Sequence, residues 1–173
     1  ARPDGGVTMN HDDMPARART LVAELDLMPH PEGGFYREIF RSAERVRAER
    51  HGASRSALTV IHFLLPGGTH SAVHRVMADE AWHFVEGDPL ELVWVTEADT
   101  WHRVRLGALA DGAVPAAVVP AGAWQSCWPL GQYTLVACDV APGFQFDDFA
   151  LLRDDPALCA ALLARHPALA RVL

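Results

Sequence analysis

Between Gly68 and Gly87 the chain reads G-T-H-S-A-V-H-R-V-M-A-D-E-A-W-H-F-V-E-G, which sets His74 shortly ahead of the carboxylate of Glu80. An imidazole and a carboxylate held together away from water can transfer protons, because burial and a charged neighbour bring their pKa values toward neutrality. Glu80 opens an apolar stretch, so its burial would demand a partner. Alternate residues of an extended segment share one face, so Trp82 and Phe84 line the same interior as Glu80 and His83 points the other way. His62 sits inside the apolar run TVIHFLL and reads either as a buried neutral histidine or as a pocket acid. Tyr36 and Arg37 follow the Glu32-Gly33-Gly34 turn at the level of a pocket mouth, where Arg37 could pair a substrate carboxylate or phosphate. Trp94 offers a flat wall for a planar or sugar-like ligand. His30, His51, His102 and His166 fall in turns or at element ends and read as surface residues.

Short strands have to position these side chains. FYREIF, SALTVIHFLL, AWHFVEG, LELVWVTE, WHRVRLG, AAVVPAG, WQSCW and YTLVACDV are rich in β-branched and aromatic residues. Turn signals such as Pro66-Gly67-Gly68, Asp88-Pro89, Asp111-Gly112 and Pro142-Gly143 separate them about every 8–12 residues, the spacing of a sandwich or barrel. The strands are too close together for βαβ units, which argues against Rossmann and TIM architectures. Helices are predicted at both ends. The first is capped by Asp13, starts at Pro15, carries Leu21, Val22 and Leu25, and stops at Pro29-His30-Pro31. The second runs from Asp155-Pro156 through Leu158, Leu162 and Leu163 to near Pro167. Residues 1–14 read as a flexible polar tail, with Met9 a candidate start, and 15–173 as one domain.

Composition removes several function classes. The chain has 173 residues, 50% hydrophobic and 21% charged, which is a globular balance. No apolar run approaches the roughly 20 residues of a membrane span. Net charge is −7, and all 15 basic residues are arginine. Without lysine there is no Schiff base, which excludes pyridoxal-phosphate enzymes and lysine-dependent aldolases. A negative chain without a basic stripe is also a poor nucleic-acid partner. The arginines from Arg37 to Arg55 are interrupted by Glu38, Glu44 and Glu49 and form a solvated mixed-charge face. Cys127, Cys138 and Cys159 are an odd set without CxxC spacing and read as free thiols in a reducing, cytoplasmic setting, Cys138 as a core thiol.

Laid on the first motif of the cupin superfamily, G-x5-H-x-H-x3-E-x6-G, the chain puts Gly68, His74, Val76, Glu80 and Gly87 in register, with Val76 where a second histidine is usual. Pro120 and Gly122 match P-x-G-x2-H of the second motif, and Gln125 takes the histidine's place. Asp26-Leu27 and HPEGGFYREIFRS, then ALTVIHFLL, DEAWHFVEGDPLEL, VPAGAWQS and CDVAPGFQFDDFAL resemble the fifth cupin subfamily over roughly residues 20–152. The usual tyrosine in the strand before Pro66 is His62 here. The resemblance implies an all-β double-stranded β-helix, a jelly-roll barrel with a small-molecule pocket, and a homodimer. A durable metal site in this fold has three imidazoles and a carboxylate. The ligand set implied here shrinks to His74, Glu80 and Gln125. No cofactor is favoured, and a weakly held Fe, Ni, Mn or Zn ion is the alternative.

The reading that follows is an enzyme doing acid–base chemistry, of epimerase, isomerase, cyclase or lyase type, on a small polar or sugar-like metabolite. His74 serves as base, Glu80 orients it, and His62 or a tyrosine is the acid. Tyr36, Arg37, Trp82, Phe84, Trp94 and Gln125 contact the substrate. A non-catalytic small-ligand binder and a metal-dependent oxygenase or lyase stay open as alternatives. The absence of lysine beside abundant alanine and arginine suggests high-GC coding, which is consistent with bacterial specialised metabolism.

Overall fold

The computed structural model of the chain describes residues 13–50 and 52–173. Its strands in chain order are Met28–Pro29 (β1), Phe35–Arg41 (β2), Arg45–Arg47 (β3), Ser54–Ser56 (β4), Thr59–Pro66 (β5), His74–Val76 (β6), Asp79–Gly87 (β7), Leu90–Val95 (β8), Trp101–Leu106 (β9), Ala116–Val119 (β10), Trp124–Pro129 (β11), Tyr133–Ala141 (β12) and Phe149–Leu151 (β13). Six of them form one sheet in the order β1-β2-β5-β12-β7-β10, five form a second in the order β13-β6-β11-β8-β9, and β3 and β4 make a separate hairpin. From β5 to β13 the chain passes repeatedly from one sheet to the other, interrupted by the β8–β9 hairpin. All the strand pairs are antiparallel. This is the jelly-roll arrangement, and period-2 alternation gives each strand one face toward the interior.

The interior is filled unevenly. Leu65, Leu92, Trp94, Leu106 and Val136 belong to a buried core that also takes in Phe63 and Trp82. Toward the other end of β5 and β12, the inward residues Thr59, Ile61, Cys138 and Val140 border open space. The core therefore plugs one part of the barrel and leaves a chamber in the rest.

Two helices cover the outsides. Ala16–Glu24 (α1) buries Ala18 and Leu21, with Met14 and Leu27, against Leu64 and Leu135 on the outer face of the larger sheet. No side chain caps α1, so Asp13 does not play the predicted role. The helix ends at Glu24 rather than at Pro29, because the chain turns away at Asp26 with φ 51°. Buried Met14 belongs to the packed domain, Asp13 is exposed, and residues 1–12 of the predicted tail lie outside the described residues. Pro156–Arg165 (α2) starts as predicted: the Leu158 N–H donates to the Asp155 carboxylate at 3.0 Å. Its Leu162 packs with Val73, Val95 and Trp124 on the outer face of the smaller sheet. Among the described residues no helix is long and apolar enough to cross a membrane.

Candidate active site

The chamber has a volume of about 140 Å³. Thr59, Ile61 and Phe63 of β5, Glu80 and Trp82 of β7, and Cys138 and Val140 of β12 form one wall. His74 and Val76 of β6 and Phe149 of β13 face them from the smaller sheet. The segment after β12 adds Phe144, Gln145 and Phe146, and the turn before β2 adds His30 and Glu32.

That turn carries a side chain that sequence reasoning left outside the site. Gly34 adopts φ +69°, and a Cβ there would lie 2.7 Å from the Leu64 carbonyl oxygen, so only glycine lets the turn press this closely on β5. The Ala72 N–H donates to the Glu32 carbonyl at 2.6 Å, and the Glu32 side chain is buried against His74. His74 Nδ1 lies 2.8 Å from the Ala72 carbonyl, which can only accept, so Nδ1 carries the proton. His74 Nε2 therefore offers a lone pair to Glu32 Oε2, 3.1 Å away. Burial lowers the His74 pKa to about 4 and, with help from the charge of Glu80, pushes Glu32 well above the usual carboxylate range. A neutral pair results, in which the Glu32 carboxyl donates to the imidazole. His30 completes the group. Its Nδ1 accepts the Glu32 N–H at 3.2 Å, and burial, then the neighbouring His74, lowers its pKa to about 3. Tyr36 packs edge-on against its ring at 4.5 Å.

Glu80 forms the second titratable group. The Trp82 indole N–H donates to Gln125 Oε1 at 3.2 Å, which turns the amide so that its Nε2 donates to Glu80 Oε2 at 2.5 Å. Burial raises the Glu80 pKa to about 7, while donation from Gln125 and the Cys138 thiol holds it below where burial alone would take it. Cys138 stays a protonated donor because burial pushes its thiol up.

The family model described as Cupin superfamily (DUF985) matches residues 19–152. The chain belongs to this cupin family. Among solved structures it is similar to protein SO0799 from Shewanella oneidensis, with 33% identity, TM-score 0.77, and coverage of 89% of this chain and 94% of that one. It is similar as well to a hypothetical protein from Leishmania major, with 33% identity, TM-score 0.73, and coverage of 86% and 97%. The uncharacterized protein YML079W of Saccharomyces cerevisiae is 24% identical over 90% of this chain and 85% of its own length. Bacillus subtilis oxalate decarboxylase, at 16% identity, TM-score 0.58, and coverage of 86% of this chain and 37% of that one, shares the fold alone.

Within this cupin barrel the structure brings together His74, Glu80, Trp82 and Tyr36 on the chamber wall, with Val76 beside them and Gln125 bonded behind Glu80. Other predicted site residues lie elsewhere. His62 alternates with Ile61 and Phe63, which face inward, so it occupies the outer face of β5; its buried Nδ1 has no partner among the described residues. Arg37 shares that outer face, paired across the strands with His62, and forms an ion pair with Asp26. Phe84 and Trp94 pack into the core that plugs the barrel, with Trp94 stacked on His102 at 5.0 Å. His30, read as a surface residue, is buried, and so is Glu32, read as a turn residue. A tertiary contact buries both: the Gly33-Gly34 turn that follows them folds against β5 and carries them inward.

The residues present do not suit the metal of a three-histidine cupin. Gln125 spends its amide oxygen on Trp82 and turns N–H groups toward Glu80, so it offers no ligand atom. His74 has one nitrogen on a backbone carbonyl and the other on Glu32. Among the described residues no three His, Cys, Asp or Glu side chains converge on a cation position.

Proposed function

We propose that this cupin is an enzyme that moves protons on a small polar metabolite, in a reaction of isomerase, epimerase, cyclase or lyase type. One observation carries the reading: two differently tuned proton-holding groups, Glu80 and the Glu32–His74 pair, are buried on the wall of one chamber. A pair of titratable groups pushed to different protonation states assigns an acid and a base. Glu80, half ionised near pH 7, serves as the base. The Glu32–His74 pair holds one shared proton and serves as the acid. When Glu80 takes a proton from carbon beside a carbonyl and the pair supplies one to the oxygen, the charges balance without a redox partner. His74 thus acts through Glu32 rather than as the free base, and Tyr36 places a phenol on the wall.

Solvent exchange tests this directly. Small hydroxy- and amino-carbonyl compounds incubated with the protein in D2O should gain deuterium at the activated carbon, as followed by NMR. The rate should rise through about pH 7 as Glu80 ionises and should fall at least about a hundredfold in Glu80→Gln, the usual contribution of a general base. Shift changes on binding, without deuterium incorporation for any compound, would favour a non-catalytic binding module.

A further inference from the structure

The chamber holds an unusual charge balance. Its wall carries three carboxylates, Glu32, Glu38 and Glu80, and a single arginine, Arg41. That arginine is used up. Its Nε and Nη2 donate to Glu38 at 2.8 and 2.7 Å, and its Nη1 donates to the Phe144 carbonyl at 3.1 Å. Glu32 and Glu80 are both buried, and neither has an arginine partner among the described residues. Ionising a buried carboxyl without a counter-ion is costly, and Glu80 has no cationic partner in the chamber, while Glu32 shares a proton with His74. Six aromatic rings also line the wall, those of Tyr36, Phe63, Trp82, Phe144, Phe146 and Phe149, among aliphatic and neutral polar side chains. Aromatic faces attract cations through their quadrupoles and offer nothing comparable to an anion.

We propose that the natural ligand of this chamber is a small organic cation, an ammonium or alkylammonium compound whose positive end sits among the aromatic rings and supplies the counter-ion missing from Glu80. This deepens the acid–base reading, on which it rests for the identity of the site, by naming a substrate class. It also separates this cupin from a barrel that takes a small dianion, because no unpaired cation lines the wall among the described residues. The titratable groups facing Glu80 are Cys138 on β12, His74 on β6, and Glu32 and His30 from the turn before β2, with the Glu38–Arg41 pair of β2 farther along the wall. None of them supplies a positive charge at neutral pH except Arg41, which is neutralised. A bound cation should therefore draw Glu80 into its ionised form, and binding should release protons below about pH 7.

Calorimetry with four probes tests the proposal: choline, propylammonium, 3,3-dimethylbutan-1-ol, which has the shape of choline without the charge, and oxalate. Choline or propylammonium should bind at least about tenfold tighter than the neutral alcohol, and oxalate should not bind. Cation affinity should rise about tenfold from pH 6 to pH 8 as the ionised fraction of Glu80 grows. Glu80→Gln should bind choline and the alcohol equally. The pH series on the unaltered protein provides the same test should that variant fail to fold. Equal binding of choline and the alcohol by the unaltered protein, preference for oxalate, or no cation binding at all would overturn the proposal. Deuterium incorporation into neutral carbonyl compounds alongside any of those results would leave the acid–base reading standing.

Discussion

Replacing Glu80 by glutamine keeps its shape and removes its charge, and the effect on stability can be worked from the site. The Glu80 carboxyl has a pKa of about 7 in the folded protein against 4.5 when exposed. The folded state therefore binds one more proton than the unfolded state between those values, so stability falls as pH rises through the window and levels off above 7. Between pH 5 and pH 8 the loss amounts to about 2.5 kcal/mol, at about 1.36 kcal/mol per pH unit in the steep region. Glutamine at this position has nothing to titrate. Urea denaturation of both proteins at pH 5, 6, 7 and 8 should show the variant gaining about 2.5 kcal/mol on the original protein across the series. The difference is the quantity to read, not the raw curve. His74 and His30, with pKa values of about 4 and about 3, destabilise the fold as pH drops below 6.5 and offset the Glu80 slope there. A difference that stays flat within about 0.5 kcal/mol, or that shrinks with rising pH, would refute the account of Glu80 as a buried carboxyl without a counter-ion.

Two further predictions concern assembly and metal. The outer face of the larger sheet exposes Phe40 (51%) and Val118 (56%) and carries His62, whose Nδ1 has no partner among the described residues, so we expect a homodimer through this face. Light scattering at micromolar concentration should give twice the chain mass and Val118→Arg the single mass; a monomeric unaltered protein would refute this. Elemental analysis after dialysis without chelator should give well under one equivalent of iron, nickel, manganese or zinc, since Gln125 and His74 are committed to other partners. A full equivalent that His74→Ala abolishes would restore the metal-dependent reading.

The strands were legible because turn residues punctuate them. FYREIF, AWHFVEG, LELVWVTE and WHRVRLG each fall within two residues of an observed strand. Parity along a single strand was legible too: Trp82 shares the inner face with Glu80, and His83 faces out to Asp139 at 3.0 Å. Parity between strands was not. His62 and His74 sit on different strands, and nothing in the sequence tells which face of β5 turns inward, because both faces are apolar: Leu64 packs under α1 while Phe63 packs in the core. Glu32 was hidden for a related reason. A carboxylate beside two glycines has the composition of a solvated turn, and only the tertiary contact of that turn with Ala72 and His74 shows otherwise.

The two departures from the usual cupin motif make sense together once Glu32 is in place. Val76 removes one imidazole from the chamber, and Gln125 replaces another with an amide whose oxygen is tied to Trp82. A metal held by three histidines would have kept Glu80 ionised as a ligand. Glu80 here accepts from the Gln125 N–H and the Cys138 thiol, and burial raises its pKa to about 7. His74 has the second carboxyl, Glu32, as the partner of its Nε2 at 3.1 Å. Among the described residues no arginine pairs with Glu32 or Glu80. The chamber holds two buried carboxyls, Glu80 with a pKa of about 7 and Glu32 raised well above the usual range. On the reading proposed above, Val76 and Gln125 leave the chamber to Glu80 and the Glu32–His74 pair, whose ionisation an ammonium ligand would favour.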